Sequence, residues 1–335
     1  MRNKPPLGLK IRIFTWFGIV LFAPVFLLAL TWAFGALYYD GPSRWLAGVQ
    51  AVAILAVFVL ARGWRLKLGI SGAWFTIVLV WWLTLKPTNE GDWQPDLAQL
   101  AWADINGDEV TLHNVRNSDY RSETDYTPHW ETRSVRLSQI TGIDLAINYW
   151  GSPWMAHPIA SFQFADGPPL CISIETRKKI GQNYSAIGGL YRQFALTYIV
   201  ADERDAIRVR TNYRHGEDVY LYHTTATPDQ ARGRFLEYLR ALNDIRQHPR
   251  WYNAITTNCT TAIRDQHAAG QRLPWDWRLL LNGKADELIY ERHLIATGGL
   301  SFADLKRRSL VNSAANAANA DPDFSVRIRE SLSGM

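Results

Sequence analysis

The chain has 335 residues, 36 Lys and Arg against 31 Asp and Glu, and a formal net charge of +5. No Lys/Arg run of nucleic-acid-patch length is present, and much of the basic excess flanks apolar stretches, which argues against a nucleic-acid partner. Only two cysteines occur, and their contexts argue against pairing: Cys171 opens an alternating run, and Cys259 lies in a polar turn before a helix.

Up to about Leu85 the chain is overwhelmingly apolar, and beyond it the charge density is that of a soluble domain. Three apolar stretches, at about 13–38, 45–60 and 68–85, lack internal charge and are expected to cross a bilayer whose core is about 30 Å thick. The second is short, so a two-span arrangement is the rival. Arg2, Lys4, Lys10 and Arg12 precede the first stretch, and Arg62, Arg65 and Lys67 fill the second loop. Basic loops stay in the cytoplasm, so three spans carry everything after Lys86 to the far side of the membrane. The first stretch is too long for the apolar core of a signal peptide. Fifteen tryptophans, many near the apolar stretches, suit work close to a lipid interface. The expected layout is a membrane segment over 1–86, a linker and lead-in over 87–110, a globular domain over 111–310 and a flexible tail over 311–335.

Within the globular part, short β-like pieces fall at about 110–115, 135–137 and 143–149. His157–Phe164 and Leu170–Arg177 are alternating runs joined by Ala-Asp-Gly-Pro-Pro, the pattern of a hairpin. Tyr184 to Thr197 reads as a helix with Ile187, Leu190, Tyr191 and Phe194 on one face. Strands are expected at about 198–201, 207–211 and 218–223. Thr227-Pro-Asp-Gln opens a helix that runs to about Arg246 with Phe235, Leu239 and Leu242 facing inward. Helices after Cys259 and over about 285–295 complete an α+β domain. The small, polar tail after Val311 is expected to be poorly packed.

The segment WYNAITTNCTTAIR holds the sharpest chemistry. Asn258 is a helix cap, which puts Cys259 at the first helical position. There the unpaired N–H groups and the macrodipole favour a thiolate and can serve as an oxyanion hole. A reactive and an inert thiol remain open on spacing alone. Of eight histidines, His157 opens a strand of the hairpin and is the candidate imidazole. A turn centred near Asp166-Gly167 would bring it opposite about residue 176, so Glu175 or Ser173 could orient the ring. Tyr252 and Trp154 join Asn258 as substrate or oxyanion candidates. No His/Cys pair has zinc spacing and no phosphate-binding glycine loop is present, so neither metal nor cofactor is expected.

From about Asn114 to Arg308 the chain resembles the Lnb N-terminal periplasmic domain family, named for a lipoprotein N-acyltransferase of Gram-positive bacteria. The resemblance rests on NVRNSDYRSETDYTPHWETR, NYWGSPWMAHPIASFQFADG, ISIETRKKIGQNYSAIGG, YIVADERDAIRVRTNYR, EDVYLY and WYNAITTNCTTAIR. That family is similar to the permuted branch of the papain-like NlpC superfamily, in which a His strand precedes the Cys helix. A polar residue on the strand beside the His strand completes the triad. The resemblance implies His157 as the base, Cys259 as the nucleophile, Glu175 as third member, and an acyl-thioester passed to an amine, alcohol or water. The implied setting is a bacterial inner membrane, with a cytoplasmic N-terminus, a periplasmic domain and a lipid or lipoprotein acyl substrate. A cysteine peptidase or amidase on cell-wall peptide and a non-catalytic envelope scaffold are the alternatives.

Overall fold

The computed structural model describes residues 7–267, 270, 272 and 274–332. The basic residues Arg2 and Lys4, used above for orientation, lie outside them. The chain forms two compact units. One comprises the described residues up to Lys86 together with Ile187–Gln193. The other comprises Pro87–Ala186 and the described residues from Phe194 onward.

The first unit is built from α1 (Leu7–Tyr39), α2 (Trp45–Leu60) and α3 (Trp64–Thr84). Two of them, α1 and α3, are long and apolar enough to cross a membrane by length and composition; α2, with 16 residues, is shorter. Val52, Leu55, Val59 and Leu60 of α2 are exposed, which suits a lipid surround rather than water. The expectation of one helix over 184–197 fails here. Gly188–Leu190 form a single 3-10 turn, and from Ala195 the chain is a strand. Paired glycines at 188 and 189 weaken a helix, and the apolar periodicity has another cause: Tyr191 stacks on Tyr39 at 5.2 Å and packs against Trp32. Asp40 accepts hydrogen bonds from Trp82 Nε1 (2.7 Å) and Arg192 N (2.9 Å), and a Cβ on Gly35 would strike the Tyr191 hydroxyl.

The second unit is an α+β domain around one mixed sheet. Its strands are β1 (Trp102–Asn106), β2 (Glu109–Arg116), β5 (Trp130–Arg136), β6 (Ile140–Trp150), β7 (Ala156–Phe164), β8 (Leu170–Arg177), β9 (Ala195–Asp202) and β10 (Glu217–His223). The order is β1-β2-β9-β8-β7-β6-β10, with β5 on β2. All pairs are antiparallel except β2–β9, which meet in parallel at Arg116 and Ala201. A small separate ribbon pairs β3 (Asp119–Tyr120) with β4 (Tyr126–Thr127).

Alternation along the central strands sends side chains to two cores. Phe162, Ile172, Leu196 and Val200 meet α5 (Pro228–Gln247) through Phe235, Leu239 and Leu242, and α6 (Cys259–Gln266) through Ala262. Thr227 is the expected cap of α5, and Gln230 closes it into a capping box. On the other face, Ile159, Cys171, Ile199 and Ala201 pack with Ile207, Val311, Phe324 and Ile328.

Several expectations are corrected on this second face. Residues 207–211 form no strand. Asp202 caps the short α4 (Glu203–Ala206), and a π-helical turn follows over Val209–Tyr213. Arg210, within the expected strand, is buried. The tail is packed rather than loose through its described residues. Helices α9 (Asn312–Ala317) and α10 (Phe324–Arg327) bring Val311, Ala315, Phe324 and Ile328 into the core. The tail's polar composition hid a few apolar residues at helical spacing. Arg329 adds bonds to Asp144 and Glu203. Helix α7 (Ala285–Glu291) ends four residues short of the expected Ile295, and α8 (Phe302–Ser309) follows it.

Candidate functional site

The site begins where β7 and β8 part. Their ladder runs from Phe162↔Leu170 to Ile159↔Ser173 and stops. Beyond it, β7 stays paired with β6, where His157 faces Asn148, and β8 stays paired with β9, where Glu175 faces Thr197. Pro158, lacking an N–H, sits at the point of separation and cannot continue the ladder as a donor. Carrying the observed register two residues further sets His157 against Glu175, one residue from the expected 176. The parted strands leave a cavity of about 250 Å³, lined among others by Asn148, His157, Ile174, Glu175, Tyr252 and Cys259.

His157 is buried at 8% exposure. Its Nε2 lies 2.6 Å from Ser173 Oγ and 3.1 Å from Glu175 Oε1, while Ser173 Oγ donates to the same carboxylate oxygen at 2.7 Å. Both expected third residues are therefore present, the hydroxyl bridging ring and carboxylate as well as the carboxylate reaching the ring. Arg210, on the π-helical turn, donates to Glu175 Oε1 at 2.7 Å and to the Ala206 carbonyl at 2.7 Å. Burial alone would push the imidazole down, but the Glu175 charge and hydrogen bonds from Glu175 and Cys259 outweigh it and raise His157 to about 9. Burial would likewise raise Glu175, yet His157, Arg210 and Ser173 hold it well below the usual carboxylate range.

Cys259 opens α6 as expected and lines the cavity together with His157. The cap is more demanding than the sequence suggested. Asn258 Oδ1 accepts both the Thr260 and Thr261 N–H groups, at 3.0 and 2.8 Å, and the Asn258 carbonyl accepts the Ala262 N–H at 2.9 Å. The helix start therefore has few N–H groups to spare for an oxyanion. Among the described residues only the Cys259 N–H is left without an acceptor in that turn. Asn258 is a structural cap here, with its side-chain oxygen spent on the backbone.

A second donor comes from Asn282, which the sequence did not mark. Its Oδ1 accepts the Ala156 N–H at 3.0 Å, which turns Nδ2 towards Cys259 Sγ at 3.5 Å. Tyr252 is buried and lines the cavity together with Tyr184; burial and the neighbouring Cys259 push it up. Trp154 does not join the site. It is 48% exposed; its carbonyl accepts the Gly283 N–H (3.1 Å), its N–H donates to Ser152 Oγ (3.2 Å), and the Lys284 ammonium lies 5.5 Å from its ring. Asn282, Arg210 and Tyr184 have no local signal: each reaches the site through tertiary contacts. Among the described residues no group of three His, Cys, Asp or Glu is placed to hold a metal ion.

The two cysteines are free and buried in separate cores, Cys259 with Phe162 and Cys171 with Ile159. Burial and the neighbouring Glu203 carboxylate push the Cys171 thiol up, so it has the chemistry of a packing residue.

Residues 126–283 match the family model described as the Lnb N-terminal periplasmic domain. The match takes in His157, Ser173, Glu175, Arg210, Cys259 and Asn282. Comparison with curated proteins and with solved structures gives no match. The periplasmic domain family and the apolar N-terminal helices together point to a membrane-anchored periplasmic protein of the cell envelope.

Proposed function

Starting from an Lnb N-terminal periplasmic domain over residues 126–283, we propose that this chain is a cysteine-dependent acyl-transfer enzyme whose nucleophile is Cys259. The observation that carries the reading is the line His157–Ser173/Glu175–Arg210, set on the same cavity as Cys259 at its capped helix start. With Nε2 held by Ser173 and Glu175, the ring's other nitrogen takes the thiol proton, and the sulfur attacks the substrate's acyl carbonyl carbon. The oxygen charge that develops is accepted by the Cys259 N–H and Asn282 Nδ2. The leaving group departs with the proton from His157, which completes a thioester. An amine, hydroxyl or water then gives a proton to the ring, attacks the thioester carbonyl and releases the sulfur. Arg210 keeps Glu175 ionised and so fixes the ring's orientation.

The fold we assign is the permuted papain-like, NlpC-type arrangement. What supports it is the chain order, with the His strand β7 ahead of the Cys helix α6. The anchor we assign is three helices crossing a bacterial inner membrane, with the N-terminus in the cytoplasm and the domain in the periplasm. It is supported by the basic residues Arg62, Arg65 and Lys67, which fall in the α2–α3 connection and the start of α3. A membrane tether raises the effective concentration of a lipidic substrate, so the acyl donor we assign is a membrane lipid or a lipoprotein. One observation favours a second reading. The cavity wall carries charges of both signs rather than a long apolar groove, which suits an amidase or peptidase on envelope peptide.

Mass spectrometry of the intact chain after incubation with native membrane lipid separates these. An acyl mass on Cys259 that hydroxylamine removes is expected for the first reading. Cleavage of peptide stems without an acyl mass would move the assignment to the second. Function surviving Cys259→Ala would reduce the domain to a scaffold.

A further inference from the structure

Four cationic side chains line the cavity beside Cys259: Arg116, Lys178, Arg210 and Arg214. Two are committed. Arg116 holds Asp205 through Nε at 2.9 and 3.1 Å and through Nη2 at 2.8 Å, and Arg210 holds Glu175 at 2.7 Å. Such short, buried, charge-assisted bonds leave little capacity for a ligand.

The other two are differently placed. Lys178 follows the end of β8, is partly buried, and among the described residues its ammonium has no hydrogen bond or ion pair. Arg214 follows the π-helical turn and is 27% exposed, and its ion pairs are looser: Glu217 at 3.6 Å and Glu123 at 3.8 Å, with neither close enough for a hydrogen bond. Its Nε is buried and makes no hydrogen bond. A buried N–H donor left unmet is costly unless something accepts from it, and the partly exposed remainder of the guanidinium stays open to a ligand.

We infer that Lys178 and Arg214 form an anion subsite of the Cys259 cavity, holding one negatively charged oxygen group of the substrate. The inference rests on the reading of Cys259 as nucleophile and adds to it the charge of what that residue attacks. The carboxylates Glu123, Glu217 and Asp96 on the same wall balance the cations. A single charge therefore fits better than a polyanion. Phosphate and carboxylate share this chemistry.

Two alkylating reagents of similar size test the subsite on the full chain in detergent: anionic iodoacetate and neutral iodoacetamide. Peptide mass spectrometry reads labelling at Cys259, and the iodoacetate-to-iodoacetamide rate ratio is compared with that of the urea-unfolded chain. The folded chain should show an excess, and Lys178→Gln or Arg214→Gln should each lower it by roughly threefold or more. Lys178→Arg should retain it, which guards against a variant that merely misfolds. A ratio at the unfolded value, or one that neither Gln variant moves, overturns the subsite while leaving Cys259 reactive. Labelling by neither reagent instead overturns the nucleophile itself, and the subsite with it. Protection against iodoacetamide by millimolar glycerol 3-phosphate but not N-acetylglycine assigns the anion as phosphate, and the reverse assigns it as carboxylate. Protection by neither counts against the subsite.

Discussion

The imidazole of His157 and the carboxylate of Glu175 meet at 3.1 Å between strands that have stopped pairing with each other. A hairpin that stayed closed would fill this space with a further ladder pair. Here the separation past Ile159↔Ser173 opens a cavity, and the two side chains that would have been cross-strand neighbours become its polar wall. Ser173 Oγ lies within hydrogen-bond reach of both, so the ring is fixed twice from one side.

Replacing Glu175 by Gln removes the charge that overcomes the burial of His157. The ring, raised to about 9 in the native protein, should then fall towards or below its ordinary 6.5. At neutral pH the imidazolium beside Cys259 is lost, and iodoacetamide labelling of Cys259 should slow by about tenfold, with its pH profile displaced. Ser173→Ala leaves the direct Glu175 contact and should cost at most a few-fold. Identical profiles for wild type and Glu175→Gln would remove Glu175 from the site.

Asn282 and the Cys259 N–H divide a task that the helix start could not perform alone, since Asn258 occupies the Thr260 and Thr261 N–H groups. Asn282→Ala should lower the rate of thioester formation by about 10²-fold, in the range found for single oxyanion donors, while substrate binding changes little. Single-turnover acylation measured by mass spectrometry reads this directly. A variant that weakens binding and leaves the rate intact would make Asn282 a positioning residue only.

The readable parts of the sequence were those whose cause is local. The β7–β8 hairpin was legible from its turn, α5 from Thr227-Pro-Asp-Gln, and the α6 start from Asn258, because caps and turns act over a few residues. Period-based readings failed where a side chain served a distant partner. Tyr191 looked like one face of a helix because it packs on Tyr39 of α1, and the expected strand over 207–211 is a helical turn whose Arg210 reaches Glu175, 35 residues earlier. Asn282 and Trp154 show the same limit at the site. Trp154 stands near His157 in sequence yet faces outward, and Asn282 reaches Cys259 across 23 residues.

The tail is a packed element, so its removal should be felt. Phe324 is fully buried among Ile199, Val311 and Ile328. Phe324→Ala should destabilise the domain by about 3–5 kcal/mol. Arg329→Met should also be costly, because it leaves buried Glu203 with the Ser161 hydroxyl as its remaining side-chain partner and Asp144 with His223 alone. Urea unfolding of the detergent-solubilised chain, followed by tryptophan fluorescence, measures both. Wild-type stability in the two variants would mean that the tail does not pack on the sheet.

The free thiols separate by environment. Cys171 has no exposed surface and Cys259 lines the cavity. The native chain should therefore titrate one thiol with a neutral reagent, and the unfolded chain two without any reductant. A lone thiol pair that appears only after reduction would mean the cysteines are bridged.

The His157–Glu175 pair also sets a pH window for stability. Glu175 is held well below its ordinary value, so its contribution is present above about 4.3 and disappears as pH falls through the native value. His157 is raised to about 9, so its contribution is complete below about 6.5 and disappears as pH rises through 9. The part common to both is the His157–Glu175 interaction, which is at full strength between roughly pH 5 and 6.5. The Tm difference between wild type and Glu175→Gln should accordingly be greatest in that interval and should shrink by pH 9. His157→Ala removes the same interaction, so the double variant should lose little more than either single one. A Tm difference that stays constant from pH 5 to 10 would show that the ring carries no charge in the native protein, and the proton route from Cys259 through His157 would have to be redrawn.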